Sequence, residues 1–479
     1  MCGYMCGGTH DGGKVELAQG RVAASRCFGG ECELLQRGTC PVGCRVCHSI
    51  AVCHSMAVCP IQYVPYIACE HASTCAQAQP GRMPHARAQA CVSLRYLIYD
   101  ADNRCAWPSV EGMVGEMLPG ILEQLLALMD QVGSDELVTS LDVLIDSFAR
   151  RMPPYAQGLC QRLADAFLRL AHDADTDSSL AASQCCSAIA TLLDALQDSN
   201  SPQLFASIER SVIPLLNECL TPDASGEYAY TEFIEDVLEI MTRLTYYAPE
   251  ISEGMWSLYQ PLTKCFTDWA WDYLSEFQMA LINYVSRAPA AFVSNPQRPE
   301  AMIRMMQRVL DTADAQDKDL VQVSLLGQRM LLECRAGVEC YIEALMALVV
   351  RRLQHHPPQK ELARSELIKL IAACLVVNPT LTLNTAESQS ATHMIFHMWL
   401  ESIVILGQKD TAHGVETIRT HFRALNDKKL CILGITSILR TPKEQLPGSI
   451  QEGFGQLLAG LVSRVLSSCL VCCRPCRAS

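Results

Sequence analysis

The chain has 479 residues, of which 49% are hydrophobic and 19% charged, so it can bury a sizeable core and is not disordered throughout. Its formal net charge is −13, made up of +2 in residues 1–105, +2 in residues 469–479 and −17 in residues 106–468. This acidic body disfavours direct binding of nucleic acid, because phosphates are repelled, and it favours basic protein partners.

Residues 1–105 lack the hydrophobic periodicity of a folded domain. They hold 13 of the 26 cysteines and a near-perfect duplication of six residues that starts at Cys47 and again at Cys53. Residues 469–479 add four more cysteines in a similar low-complexity context. We interpret both ends as Cys-rich segments that are disordered or result from non-coding sequence translated as protein. The alternative is a genuine Cys-rich appendage.

The uncharged run from Val46 to Cys69 is the segment to test as a membrane span. It contains Pro60 and Pro65 as well as two histidines and two serines, so we expect no membrane insertion. Residues 106–468 hold nine cysteines in apolar helical patterns, where free cysteine behaves as a small hydrophobic residue. This usage predicts an intracellular, reduced protein.

Two groups of residues resemble metal ligands. Cys44 and Cys47 have the spacing of a zinc-binding pair, but no second pair follows at the distance of a zinc finger. His393 and His397 share one face of a predicted helix, without a third ligand. The sequence therefore predicts no metal and no cofactor, and a zinc site is the alternative. Its candidate ligands are Cys40, Cys44, Cys47 and His48.

From about residue 106, apolar residues recur three and four positions apart, which is the pattern of amphipathic α-helices. Short breakers such as Pro153-Pro154 and Asn378-Pro379 separate these segments. About sixteen helices of 12–20 residues are predicted. They are 113–129, 137–148, 155–172, 180–197, 201–220, 229–247, 252–268, 271–286, 299–312, 319–335, 338–354, 361–376, 391–407, 412–424, 427–440 and 448–467.

The predicted helices indicate an all-α solenoid over residues 106–468. Helices joined by short loops pack as antiparallel pairs, and the pairs recur every ~40–47 residues, as in HEAT and armadillo repeats. Pro119, Pro214 and Pro261 lie inside helical patterns, where they should kink the first helix of a pair. A compact helical bundle is the alternative, but it would need several helices that are apolar all round, and most of these are amphipathic.

The chain carries none of the common catalytic motifs. There is no phosphate-binding loop, no Gly-x-Gly-x-x-Gly, no Gly-x-Ser-x-Gly and no His-Glu-x-x-His. We therefore expect a protein that is not an enzyme.

One predicted helix, 229–247, has a strongly acidic face opposite its apolar one. A solvated face is the simplest explanation, and a surface for basic cargo is the functional one. The residues of this face are Glu232, Glu235, Asp236 and Glu239.

The segment from Thr245 to Trp256 is the most specific pattern in the chain. Pro249 should end one helix, and Ser252 is a suitable N-cap for the next. A role in stacking neighbouring repeats is predicted for Tyr246, Tyr247, Pro249, Met255 and Trp256.

This segment, with residues 266–274 and 421–440, resembles the importin-seven and importin-eight branch of the importin-beta superfamily. The resemblance covers roughly residues 110–468 and only the later half of the family sequence. It implies a HEAT-repeat nuclear import receptor of the cytoplasm, nucleus and nuclear envelope, which binds basic cargo and Phe-Gly nucleoporins. It also implies release of cargo by GTP-bound Ran, although the family's main Ran contacts lie in repeats that this chain does not match. A HEAT-repeat scaffold without transport activity is the alternative function.

Overall fold

The computed structural model describes residues 108–129, 135–172, 176–199, 201–403, 422, 424–452 and 455. Residues 1–105 and 469–479, and with them the Cys40 to His48 set and the run from Val46 to Cys69, lie outside the described residues. The described part contains α-helices and short 3-10 turns and no strand. None of its helices is long and apolar enough to cross a lipid bilayer.

Sixteen α-helices have both ends within the described residues. They are α1 (Pro108–Met129), α2 (Asp135–Ser147), α3 (Ala156–Ala171), α4 (Thr176–Ala195), α5 (Pro202–Leu220), α6 (Ile234–Tyr247), α7 (Glu253–Asp268), α8 (Leu274–Arg287), α9 (Pro289–Ser294), α10 (Gln297–Leu310), α11 (Asp317–Cys334), α12 (Ile342–His355), α13 (Glu361–Val377), α14 (Pro379–Ser388), α15 (Thr392–Ile403) and α16 (Leu425–Arg440).

The helices are arranged in two layers. In layer A, each of α3, α5, α7, α10, α12 and α14 packs against the next. In layer B, each of α2, α4, α6, α8, α11, α13 and α16 packs against the next. The pairs α7–α8, α10–α11 and α12–α13 begin at Glu253, Gln297 and Ile342, which are 44 and 45 residues apart. The predicted all-α HEAT solenoid is confirmed, and the helical bundle is not observed.

The amphipathic faces of the helices meet in one continuous apolar core that extends from Leu118 to Ile450. Seven of the nine described cysteines are buried in it, and burial raises the pKa of the Cys160 thiol to about 12. These thiols therefore pack as small apolar groups, as predicted. Cys340 is an exception, because it lies exposed in the 3-10 turn Arg335–Tyr341.

The sequence pattern does not predict two of the helices, both of which are short and begin at a proline. α9 and α14 begin with Pro289 and Pro379, and proline is well suited to the first position of a helix. Asn378 confirms the start of α14, since its side-chain oxygen accepts the N–H of Leu381 at 2.8 Å. Most of the predicted helices 412–424 and 448–467 falls outside the described residues.

A buried ion cluster joins the last described helices of layer B. The Lys369 ammonium on α13 lies 2.5 Å from Glu366 and 2.7 Å from Asp427 at the start of α16. The Gln328 amide on α11 donates to Glu366 at 3.1 Å. Lys369 keeps only 6% of its side chain exposed, so this cluster couples three consecutive repeats inside the protein.

Candidate interaction surface

The four acidic residues predicted as a cargo face lie at the start of α6 and on the 3-10 turn before it. Glu232 belongs to the turn Thr231–Phe233, while Glu235, Asp236 and Glu239 lie on α6. Glu232, Glu235 and Glu239 are exposed, and Asp236 is half-buried. The structure therefore places three of the four carboxylates where a partner could reach them directly.

Asp236 differs from its neighbours because it is bonded to the preceding repeat. The Ser183 hydroxyl on α4 donates to the Asp236 carboxylate at 2.9 Å. Burial raises the pKa of Asp236 above its ordinary value, and the nearby charges of Glu239 and Glu235 raise it further, while the bond from Ser183 opposes the shift. Ser179 makes a similar but longer bond to Glu232, at 3.4 Å.

Two further carboxylates, on α2, extend this face and were missed in the sequence. Burial raises the pKa of Asp142, and the charges of Asp146 and Glu239 add to that effect. Glu239 lies on α6 and Asp142 on α2, so carboxylates of two helices that flank α4 are close enough to repel one another. We call this set the acidic surface; it comprises Asp142, Asp146, Glu232, Glu235, Asp236 and Glu239.

Between these two helices α4 presents small hydroxyl residues. Ser183, Ser187 and Thr191 are all half-exposed, and Thr191 is hydrogen-bonded to the Asp142 carboxylate. Arg243 is the cation at the end of the surface, where it lies 2.9 Å from Asp194 and 2.8 Å from Glu239. One arginine does not balance the carboxylates, so the acidic surface keeps a clear excess of negative charge.

The motif that begins with Tyr246 and Tyr247, at the end of α6, has an exposed part and a part that is hydrogen-bonded to other helices. The Tyr247 hydroxyl donates to Asp194 on α4 at 2.8 Å, and Arg287 on α8 donates to the carbonyl oxygens of Thr245 and Pro249 at 2.6 and 3.2 Å. Tyr247 and Pro249 thus contact neighbouring repeats. Tyr246, in contrast, is 59% exposed, and its ring contacts the Tyr247 ring at the surface.

Met255 and Trp256 lie in the core between α7, α8 and α10. The Tyr284 hydroxyl on α8 donates to the Met255 carbonyl at 2.6 Å. The Arg298 guanidinium on α10 lies 3.9 Å from the centre of the Trp256 ring, which is only 6% exposed. Ser252 caps α7 by accepting the Met255 N–H at 3.1 Å, as its position in the sequence indicated.

The two histidines on α15 that were considered as metal ligands do not form a metal site. The rings of His393 and His397 are stacked with centroids 6.1 Å apart, and His397 lies 3.5 Å from Glu401. Across the described stretches of the chain, no group of three or more His, Cys, Asp or Glu side chains could hold a metal ion.

Comparisons with known proteins identify the family. No family model matches the chain. Over 342 residues, however, it is 30% identical to the importin beta-like SAD2 homolog of Arabidopsis thaliana, a match that covers 70% of this chain and 32% of that protein. The chain belongs to the importin-beta family.

Other importins show the same similarity, which confirms the predicted resemblance to the importin-seven and importin-eight branch. This family member is 27% identical to a probable importin-7 homolog of Dictyostelium discoideum, over 67% of this chain and 29% of that protein. It is 22% identical to importin-8 of Danio rerio, over 78% and 35% of the two chains. The chain thus spans about a third of the length of these relatives.

Among solved structures, yeast importin-beta (Kap95p) is similar to this importin-family chain with a TM-score of 0.44 and 12% identity. The match covers 87% of this chain and 44% of that one.

Proposed function

We propose that this chain acts in a nuclear import receptor and binds basic protein cargo on the acidic surface. The observation that supports the proposal is the position of Asp142 and Glu239 on either side of α4, where burial, then the charge of Asp146 and then that of Glu239 raise the pKa of Asp142. Membership of the importin-beta family supplies the transport context. The proposed activity is binding and transport, without catalysis.

The geometry of the acidic surface suits an extended basic segment. Packed helices lie about 8–10 Å apart, so the distance from α2 to α6 across α4 is roughly 20 Å. An extended peptide covers that distance with about six residues. Two or three lysine or arginine side chains in such a segment could therefore reach the carboxylates of α2 and α6 at the same time, while the hydroxyls of α4 accept or donate further hydrogen bonds.

The partners and location that accompany this function are also part of the proposal. Phe-Gly nucleoporins would carry the receptor through the pore, and GTP-bound Ran would release its cargo. The protein would then exchange between cytoplasm and nucleus and be found at the nuclear envelope.

A nuclear import assay in permeabilised cells tests the proposal. The tagged chain is added with a fluorescent protein that carries a lysine-rich segment, with and without Ran and GTP. The receptor function predicts nuclear accumulation of this cargo that depends on the chain, and a further dependence on Ran would show that the repeats of this chain themselves respond to Ran. Binding of the cargo without any nuclear accumulation would instead identify a HEAT-repeat scaffold without transport activity.

A further inference from the structure

A shallow cleft in layer A has the opposite charge to the acidic surface. It has a volume of about 390 Å³ and lies between the end of α7 and α10. Its lining residues are Thr267, Arg304, Gln307, Arg308, Asp311 and Thr312. Two of these six are arginines in a body whose charge is −17, so the cleft is locally distinct from the rest of the chain.

The two arginines point to the chemistry of a ligand. Arg304 and Arg308 are four residues apart on α10, which places their β-carbons about 5–6 Å from each other on one face. Both are exposed, and Arg304 forms no ion pair with any residue that the structure describes. The Arg308 guanidinium lies 5.6 Å from the centre of the Trp271 ring, which restricts its position beside the cleft.

Two neighbouring carboxylates have cations of their own. Asp311 lies 3.5 Å from Arg351 on α12, and Asp268 lies 2.5 Å from Lys264 on α7. Glu300 lies one turn before Arg304 on α10, so Arg304 and Arg308 together leave the cleft with an excess positive charge of about +1. A negatively charged ligand would match it.

We propose that this cleft binds a phosphorylated side chain of a partner protein. A phosphate monoester carries a charge close to −2 and three acceptor oxygens, whereas a carboxylate carries one charge and two oxygens. Guanidinium groups suit phosphate because they donate pairs of parallel N–H bonds, and the exposed Gln307 amide adds a further donor. A long polyanion such as a nucleic acid is disfavoured, because the acidic body would repel the phosphates beyond the cleft.

The test uses the full chain and a fluorescent phosphoserine peptide that is otherwise uncharged, together with its unphosphorylated twin. Fluorescence anisotropy should show binding of the phosphopeptide and not of its twin. R304Q and R308Q should each weaken that binding about tenfold or more, since each removes charge-assisted hydrogen bonds. R329Q is the matched control, because Arg329 is an exposed arginine on α11 in layer B, and it should leave the affinity unchanged.

Competition distinguishes the source of the phosphate. Inorganic phosphate should compete much more weakly than the phosphopeptide, and a single-stranded oligonucleotide should not compete at all. Equal binding of the two peptides, equal losses in R304Q and R329Q, or preferred binding of free phosphate or oligonucleotide would overturn the proposal. Both arginines are exposed, so thermal melting of R304Q and R308Q should match that of the unaltered chain, which separates lost binding from lost folding.

Discussion

Ser183 on α4 donates a hydrogen bond of 2.9 Å to Asp236 on α6, so one carboxylate of the acidic surface also joins two repeats. Ser183→Ala should therefore lower the free energy of unfolding by about 1 kcal/mol, because it removes a hydrogen bond to a half-buried carboxylate. Ser179→Ala, whose bond to the exposed Glu232 is longer at 3.4 Å, should change it by no more than about 0.5 kcal/mol. Urea unfolding of the two variants compares them, and equal losses would contradict the assignment.

The aromatic motif offers a second matched pair. Trp256 is 6% exposed and lies under the Arg298 guanidinium, so Trp256→Ala should cost about 3–5 kcal/mol through the cavity it leaves. Tyr246 belongs to the same motif but is 59% exposed, so Tyr246→Ala should cost about 0.5 kcal/mol or less. Thermal melting of the two variants measures both losses of stability. A large loss in Tyr246→Ala would mean that this ring contributes to the stacking of repeats.

Lys369 provides a test of coupling between repeats. Lys369→Met removes the cation from two carboxylates inside the protein, and such a loss costs about 3–5 kcal/mol. Hydrogen exchange should accelerate first in α16, because Asp427 near its N-terminus loses its partner. The control is Lys264→Met, whose exposed pair with Asp268 should contribute about 1 kcal/mol or less. Unchanged exchange in α16 would contradict this role.

The acidic surface should also make stability depend on pH. Burial and the charges of Asp146 and Glu239 raise the pKa of Asp142 in the folded protein, so the folded state binds protons that the unfolded state releases. Stability should therefore rise as pH falls from neutral through the raised pKa towards the ordinary value of 3.8. Asp142→Asn should be more stable than the unaltered chain at neutral pH and should lose part of this dependence. Chemical unfolding at several pH values measures it, and a variant that is less stable at neutral pH would contradict this assignment.

The sequence predicts the helices and the family because both depend on local signals. Apolar spacing predicts most of the helices, and the position of Ser252 predicts a cap. The sequence does not predict the start of α14, because Asn378-Pro379 fits both a break and a helix start, and only the surrounding structure distinguishes them.

The contacts between repeats could not be read from the sequence. Asp142 joins the acidic surface, and Arg298 covers Trp256, only because helices about 40 to 100 residues apart in the chain pack side by side. Nothing in the neighbouring sequence of either residue indicates its partner. The acidic face of α6 can be predicted from the sequence alone. That the carboxylates of α2 lie beside it follows only from the packing of the helices.

Binding of a basic peptide to the acidic surface tests the central claim most directly. A fluorescent lysine-rich peptide of about six residues should bind the full chain, and its affinity should fall steadily as salt increases. The variant that combines E232Q, E235Q and D146N should bind at least about tenfold more weakly, from contributions of up to about 1 kcal/mol per exposed charge. The layer A control that combines E300Q and E343Q should bind like the unaltered chain. Binding that is equally tight at low and high salt, or equally strong in both variants, would contradict a cargo surface across α2, α4 and α6.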